Sequence, residues 1–138
     1  MAEKPSVAKS IAAVLGANER KDGFFITSHE QGVGNGYIVS WCAGHLLELA
    51  TPDAYGKQYT KWRFEDLPII TDEWTCTPVN SKDAHLKKLI VLLNRDDVDH
   101  VISACDAWRE GENIFRHVYD YARCGKKTQR LHYSSQRV

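Results

Sequence analysis

Ser103-Ala104-Cys105-Asp106-Ala107-Trp108-Arg109-Glu110-Gly111-Glu112-Asn113 is the stretch whose reading decides the fold. The apolar run Val101-Ile102-Ser103-Ala104-Cys105 leads into it and reads as the core of a buried strand over 98–105. Acidic residues follow at once, and then a helical pattern begins. Ile114, Val118 and Tyr121 share one face of a helix over 110–122, and Cys124-Gly125 ends it. In parallel α/β sheets, ligands bind just beyond the carboxyl ends of the strands. Asp106, Glu110 and Glu112 stand at that place. Acidic side chains also suit the positive N-terminal end of a helix. The three carboxylates therefore read either as a capped, solvated first turn or as ligands for a cation.

Outward from this stretch, Leu86, Leu89, Ile90 and Leu93 repeat at helical spacing, which predicts an amphipathic helix capped by Ser81 and ending near Asn94. Gln129-Arg130-Leu131-His132-Tyr133 predicts a last strand. Helix, strand, helix, strand in this order implies βαβ units with right-handed crossovers. At the other end, Pro5 suits a first helical position and Ser6 a cap. Val7, Ile11, Val14 and Leu15 then predict one apolar helix face, with Gly16 as the stop.

Phe24-Phe25-Ile26-Thr27 and Tyr37-Ile38-Val39-Ser40-Trp41 are rich in β-branched and aromatic residues, and Asn35-Gly36 lies between them, which predicts an antiparallel hairpin. The glycines Gly32, Gly34 and Gly36 are not followed by a helix, so a turn is favoured over a phosphate loop. Residues 51–80 read as irregular. There Lys57, Lys61 and Arg63 interleave with Tyr59 and Trp62, a pattern that either tracks a nucleic-acid strand or packs a long loop onto the core.

At 138 residues, 43% hydrophobic and 26% charged, the chain has the composition of one globular domain with a real core. No apolar run approaches the ~18 residues needed to span a membrane, and the start lacks the apolar segment of a secretory signal. The four cysteines (Cys42, Cys76, Cys105, Cys124) form no C-x-x-C pair and read as reduced thiols of a cytoplasmic protein. Cys42-x-x-His45 is half of a zinc spacing without a matching second half. The net charge of zero leaves nucleic-acid binding open, because local patches matter more than the sum.

Four blocks in series carry a resemblance. They are Ala2-Glu3-Lys4-Pro5-Ser6, Tyr37-Ile38-Val39-Ser40-Trp41-Cys42-Ala43-Gly44-His45-Leu46, Lys61-Trp62-Arg63-Phe64-Glu65-Asp66-Leu67-Pro68-Ile69 and Cys105-Asp106-Ala107-Trp108-Arg109-Glu110-Gly111-Glu112. Over essentially its whole length, 1–138, the chain resembles the N-terminal Toprim domain of type IA DNA topoisomerases, and within them the bacterial topoisomerase III branch. The resemblance implies an α/β, Rossmann-like fold: a four-stranded, mainly parallel sheet with helices on both faces, plus an inserted β-hairpin. It also implies Mg²⁺-dependent cleavage of one DNA strand by a tyrosine, strand passage and religation, with single-stranded DNA and the rest of the topoisomerase as partners. By motif match, Glu3, Lys4 and Arg109 are the catalytic candidates, Glu3 as general acid or base and Lys4 at the scissile phosphate. Asp106, Glu110 and Glu3 are the metal candidates, and Gly111 and Glu112 also match family positions. Mg²⁺ takes hard oxygen ligands and keeps several waters, which suits carboxylates beside a phosphate.

Three departures qualify these expectations. Trp108 stands where the family has the second aspartate of its acidic motif, and tryptophan offers only an N–H donor, so Mg²⁺ binding is in doubt. Only Met1 and Ala2 precede Glu3, so a shortened first strand with lowered stability, or a covering partner chain, is expected. The family's nucleophilic tyrosine belongs to a later domain, so none of Tyr37, Tyr55, Tyr59, Tyr119, Tyr121 and Tyr133 is expected to be catalytic, and the chain alone is expected to be inactive. The alternative to a topoisomerase fragment is a degenerate, non-catalytic module that binds DNA or a protein.

Overall fold

Pro5 sets the backbone at the first position of helix α1 (Pro5–Val14), directly after the extended Lys4. The computed structural model describes residues 1–27 and 36–133. No side chain caps α1, so Ser6 lies inside the helix rather than capping it. The buried face of α1 is Ala8 and Ala12, while Val14 is 87% exposed. The expected stripe of Val7, Ile11, Val14 and Leu15 is displaced because only small side chains fit where the helix lies against the strands. Val7, Ile11 and Leu15 flank that contact at half-buried positions.

Strands β1 (Glu19–Lys21) and β2 (Phe24–Ile26) pair antiparallel around Asp22-Gly23, where Gly23 takes φ 93°. Asp-Gly is a strong two-residue hairpin signal, and β1 and β2 turn on it. Strand β3 (Ile38–Ser40) pairs antiparallel with β2 from Phe24↔Ser40 to Ile26↔Ile38. The segment expected to turn between them, with Gln31 to Asn35, lies outside the described residues.

The expected four-stranded sheet is not formed as one ladder. Strand β6 (His100–Ser103) and strand β7 (Lys127–Arg130) make a parallel pair, and the β1-β2-β3 sheet is separate from it. Ala2 joins the two through single parallel bridges, to Trp41 on one side and Ala104 on the other. The join is one residue long because the chain turns into α1 at Lys4-Pro5. A third, antiparallel pair is formed by β4 (Leu47–Leu49) and β5 (Cys76–Pro78), beyond the expected sheet and hairpin. Between β4 and β5 run short 3-10 turns at Pro52–Tyr55, Lys57–Thr60 and Phe64–Asp66. Trp62 and Phe64 there are 85% and 87% exposed, so these aromatics do not pack onto the core.

Helix α2 (Asp83–Leu93) follows a 3-10 turn at Asn80–Lys82, so it starts two residues beyond the predicted Ser81 cap. Its Leu86, Leu89 and Leu93 are buried as the periodicity requires. Asn94 ends it and donates from Nδ2 to the carbonyls of Ile90 (3.1 Å) and Ala122 (3.0 Å). The second bond ties α2 to helix α3 (Arg109–Tyr121), which crosses from β6 to β7. Strand β7 begins two residues before the predicted one.

Alternate residues of the central strands enter two different clusters. Val101, Cys105 and Cys42 pack with α2 and α3, around Leu86, Leu89, Phe115 and Val118. Ala104, Ala2 and Val39 pack with α1. All four cysteines are free thiols, and among the described residues no helix is long and apolar enough to cross a membrane.

Phe115 is 1% exposed and stacks on Tyr119 at 5.7 Å between ring centroids. Phe115→Ala is expected to cost about 3–5 kcal/mol. Val14→Ala, despite its place on the predicted apolar face, is expected to stay within about 0.5 kcal/mol. Urea denaturation of both variants checks this; equal losses would contradict the observed orientation of α1.

Candidate active site

The pairing of Ala2 delivers the next two residues to the edge of the sheet. Glu3 is only 8% exposed, and its carboxylate holds Lys4 Nζ at 3.0 Å. The Glu3 carbonyl accepts from the Gly44 N–H at 3.2 Å, which seats the 43–45 loop over it. Ala43 and Gly44 both take left-handed φ, 56° and 73°, an unusual conformation for alanine. Lys82 Nζ holds the loop in place by donating to the carbonyls of Ala43 (3.0 Å) and His45 (2.8 Å). The loop in turn brings His45 Nε2 to 3.5 Å from Glu110 Oε1.

Beyond β6 the buried Cys105 gives way to the exposed Asp106. Trp108 adopts extended backbone before α3, and its side chain makes no capping bond. Gly111 sits in the first turn of α3 against the Asp106 peptide; a Cβ there would lie 2.2 Å from the Asp106 carbonyl oxygen and 2.7 Å from its nitrogen. This close approach, and not chain flexibility, requires the glycine. At the end of β7, Arg130 donates to the carbonyls of Cys105 (3.4 Å) and Asp106 (3.5 Å). Its guanidinium also pairs with Glu112, which accepts from Arg116 Nε at 2.9 Å as well.

Tyr133 closes the site from the far side, donating its hydroxyl to Asp106 Oδ1 at 3.0 Å. Burial, then the bond to Asp106 and the nearby carboxylate charges, push its pKa from 10.0 up to about 12. Lys4 is also held above its ordinary value, first by its bond to Glu3 and further by the charges of Glu3, Asp106 and Glu110. These shared influences place Glu3, Lys4, Asp106 and Glu110 in one electrostatic neighbourhood. Arg109 is exposed at the start of α3 and makes no ion pair among the described residues. His45 stands out in the sequence only as half of a zinc spacing with Cys42, and Arg130 and Tyr133 only as residues of the last strand. None carries a local signal for this site, because each reaches it through a contact distant along the chain.

The donor set does not fit a preformed Mg²⁺ site. Among the described residues no three His, Cys, Asp or Glu side chains gather around one point. Glu110 faces His45, Glu112 is shared by two arginines, Glu3 holds Lys4, and Asp106 accepts from Tyr133. The Trp108 indole is 82% exposed and supplies no oxygen.

Two measurements follow from this geometry. Glycine to alanine inside a helix is ordinarily stabilising by about 1 kcal/mol. Gly111→Ala is expected to reverse that sign, losing about 1–3 kcal/mol to overpacking, whereas Gly125→Ala, where a Cβ meets nothing within 4 Å, loses none of it to packing. Chemical denaturation compares the two. In a spectrophotometric titration, Tyr133 is expected to ionise near 12, and its pKa falls in Asp106→Asn without returning to 10.0, because burial is the larger cause. Since the folded pKa is the higher one, the stability Tyr133 contributes is full below pH 10.0 and is lost as the pH rises toward about 12.

A family model described as a Toprim domain matches residues 1–135. The chain is 40% identical over 135 residues to a protein named DNA topoisomerase 3 from Shouchella clausii, covering 98% of this chain and 18% of that protein. Proteins of the same name from Staphylococcus saprophyticus and Bacillus licheniformis are each 38% identical over the same length and coverage. The chain thus spans about 18% of the length of the curated relatives it matches. With a family match running from end to end of its folded elements, and with helices packed on both sides of the Ala2 link between β3 and β6, beside which Glu3 and Asp106 stand, the chain belongs to the Toprim domain family.

Proposed function

We propose that this chain, over 1–138, is the Toprim domain of a type IA DNA topoisomerase and acts on single-stranded DNA together with the rest of such an enzyme. The observation that carries the reading is the buried Glu3 carboxylate paired with Lys4 beside Asp106, at the carboxyl end of β6. In the proposed reaction a tyrosine oxygen from elsewhere in the enzyme attacks the backbone phosphorus, and the bond to the leaving deoxyribose oxygen breaks. The tyrosine's hydroxyl proton leaves to water as its oxygen attacks. Glu3, once Lys4 has left its carboxylate, takes up a proton from water, gives it to the leaving oxygen and takes it back on religation, when the released tyrosine regains a proton from water. Lys4 releases Glu3 to meet the phosphate, and Arg109 adds a second positive charge. Tyr133 is unsuited to be the nucleophile, because its proton is held up to a pKa of about 12.

Magnesium enters no step of this proposal. For this chain to bind Mg²⁺, Glu110 would have to leave His45, and Glu112 would have to leave Arg116 and Arg130. That internal pairing also favours a second reading, a non-catalytic DNA-binding module.

A chimera separates the two readings. Residues 1–135 replace the matching region of the Shouchella clausii DNA topoisomerase 3, and relaxation of supercoiled plasmid is followed on gels. The chimera is expected to relax plasmid, and Glu3→Ala in it to lower the rate by about 10²–10⁴-fold, the range for loss of a general acid. The present chain by itself is expected to leave the plasmid supercoiled. An inactive chimera that still binds single-stranded DNA would instead support the non-catalytic reading.

A further inference from the structure

Trp108 is a large apolar side chain that contributes nothing to the core. It is 82% exposed, and the first turn of α3 uses only its backbone: its carbonyl accepts from the Glu112 N–H at 3.1 Å, a bond any residue would make. Its neighbourhood is particular, however. Asp106, two residues earlier, is bonded to Tyr133, which is 39% exposed. Arg109 follows it, exposed and without an ion pair among the described residues, and the Lys4 side chain in the same electrostatic neighbourhood is 60% exposed. The carboxylates at the site are mostly occupied by Lys4, His45, Arg116 and Arg130.

An exposed aromatic ring beside an exposed arginine with no ion pair among the described residues, and a lysine whose single partner is Glu3, suits an unpaired nucleic-acid strand: the cations meet phosphates and the ring stacks on a base. A duplex offers no free base face for such stacking. The other exposed aromatic strip, with Trp62, Phe64 and Trp74, is less suited to phosphates. There Lys57, Lys61 and Arg63 stand among Asp53, Glu65, Asp66, Asp72 and Glu73, so acids outnumber cations.

We propose that Trp108 is a base-stacking residue that selects an unpaired nucleotide beside the phosphate met by Lys4 and Arg109. The inference rests on the reading of this chain as a DNA-acting domain. It makes position 108 a determinant of substrate structure at a site whose acidic motif it interrupts.

The test is the anisotropy of a dye-labelled dT12 oligonucleotide, and of the same strand with abasic sites, titrated with the chain. Trp108→Ala is expected to weaken dT12 binding about 5- to 30-fold, the loss of roughly one stacked base. Trp108→Phe should recover most of that loss, and Trp62→Ala should bind like the parent chain. The parent should also prefer dT12 to the abasic strand, and Trp108→Ala should lose that preference. Because the indole is exposed, the urea midpoint of Trp108→Ala should equal that of the parent. Unchanged dT12 binding by Trp108→Ala, or an equal loss on both strands, would overturn the stacking role and leave the DNA reading standing. No binding of dT12 by the parent chain at low salt would overturn both, since phosphate contacts are strongest there.

Discussion

The backbone pairing of Ala2 is the constraint on which the rest of the structure depends. Its N–H donates to the Ser40 carbonyl at 2.8 Å, and its carbonyl accepts from the Cys42 N–H at 2.9 Å. On the other side the Met1 carbonyl accepts from the Ala104 N–H at 2.8 Å, and the Met1 amine donates to the Ile102 carbonyl at 2.6 Å. Ala2 is fully buried, so these groups have no water to replace their partners. Through this short link the antiparallel sheet and the parallel pair share one orientation. It also sets Glu3 and Lys4 beside the turn that follows β6, although the two segments are far apart along the chain.

Electrostatically, the site is organised by internal pairing. Glu112 lies between Arg116 and Arg130, and Arg130 also binds the carbonyls of Cys105 and Asp106, so one guanidinium fixes the β6–α3 turn and neutralises an acid at once. An arginine fork suits this double role better than a lysine would. Tyr133 gives Asp106 a hydrogen bond without bringing a positive charge. The result is a set of acids whose mutual repulsion is relieved by neighbours on four separate elements, rather than by a cation held in common.

The organising stretch was legible because its signals are local. A short apolar run, an abrupt change to acids and a helical period fix β6 and α3 to within a few residues, and the leucine spacing of α2 is of the same kind. The Toprim family could be read from its blocks. What could not be read depends on distance or on tight fit. The buried face of α1 is chosen by how close the strands lie, which favours Ala8 and Ala12 over the larger Val14. Strands β4 and β5 are three residues each, too short for an alternating pattern, and their partners lie across a long irregular segment. In the site, Glu3, Lys4, Asp106 and Glu110 were visible as motif residues. His45, Arg130 and Tyr133 join them only when β3, β7 and the left-handed Ala43-Gly44 loop are in place.

The Ala2 link also imposes an order on biosynthesis. Met1 and Ile102 are bonded yet 101 residues apart in sequence. At translation rates of about 5–20 residues per second, roughly 5–20 s separate their appearance. During that interval α1 and the β1–β3 strands can form near the ribosome, while the β6 side of the link stays unsatisfied. The nascent chain thus carries an open strand edge until β6 arrives, and it is in that window that a chaperone, or another nascent chain, would find it.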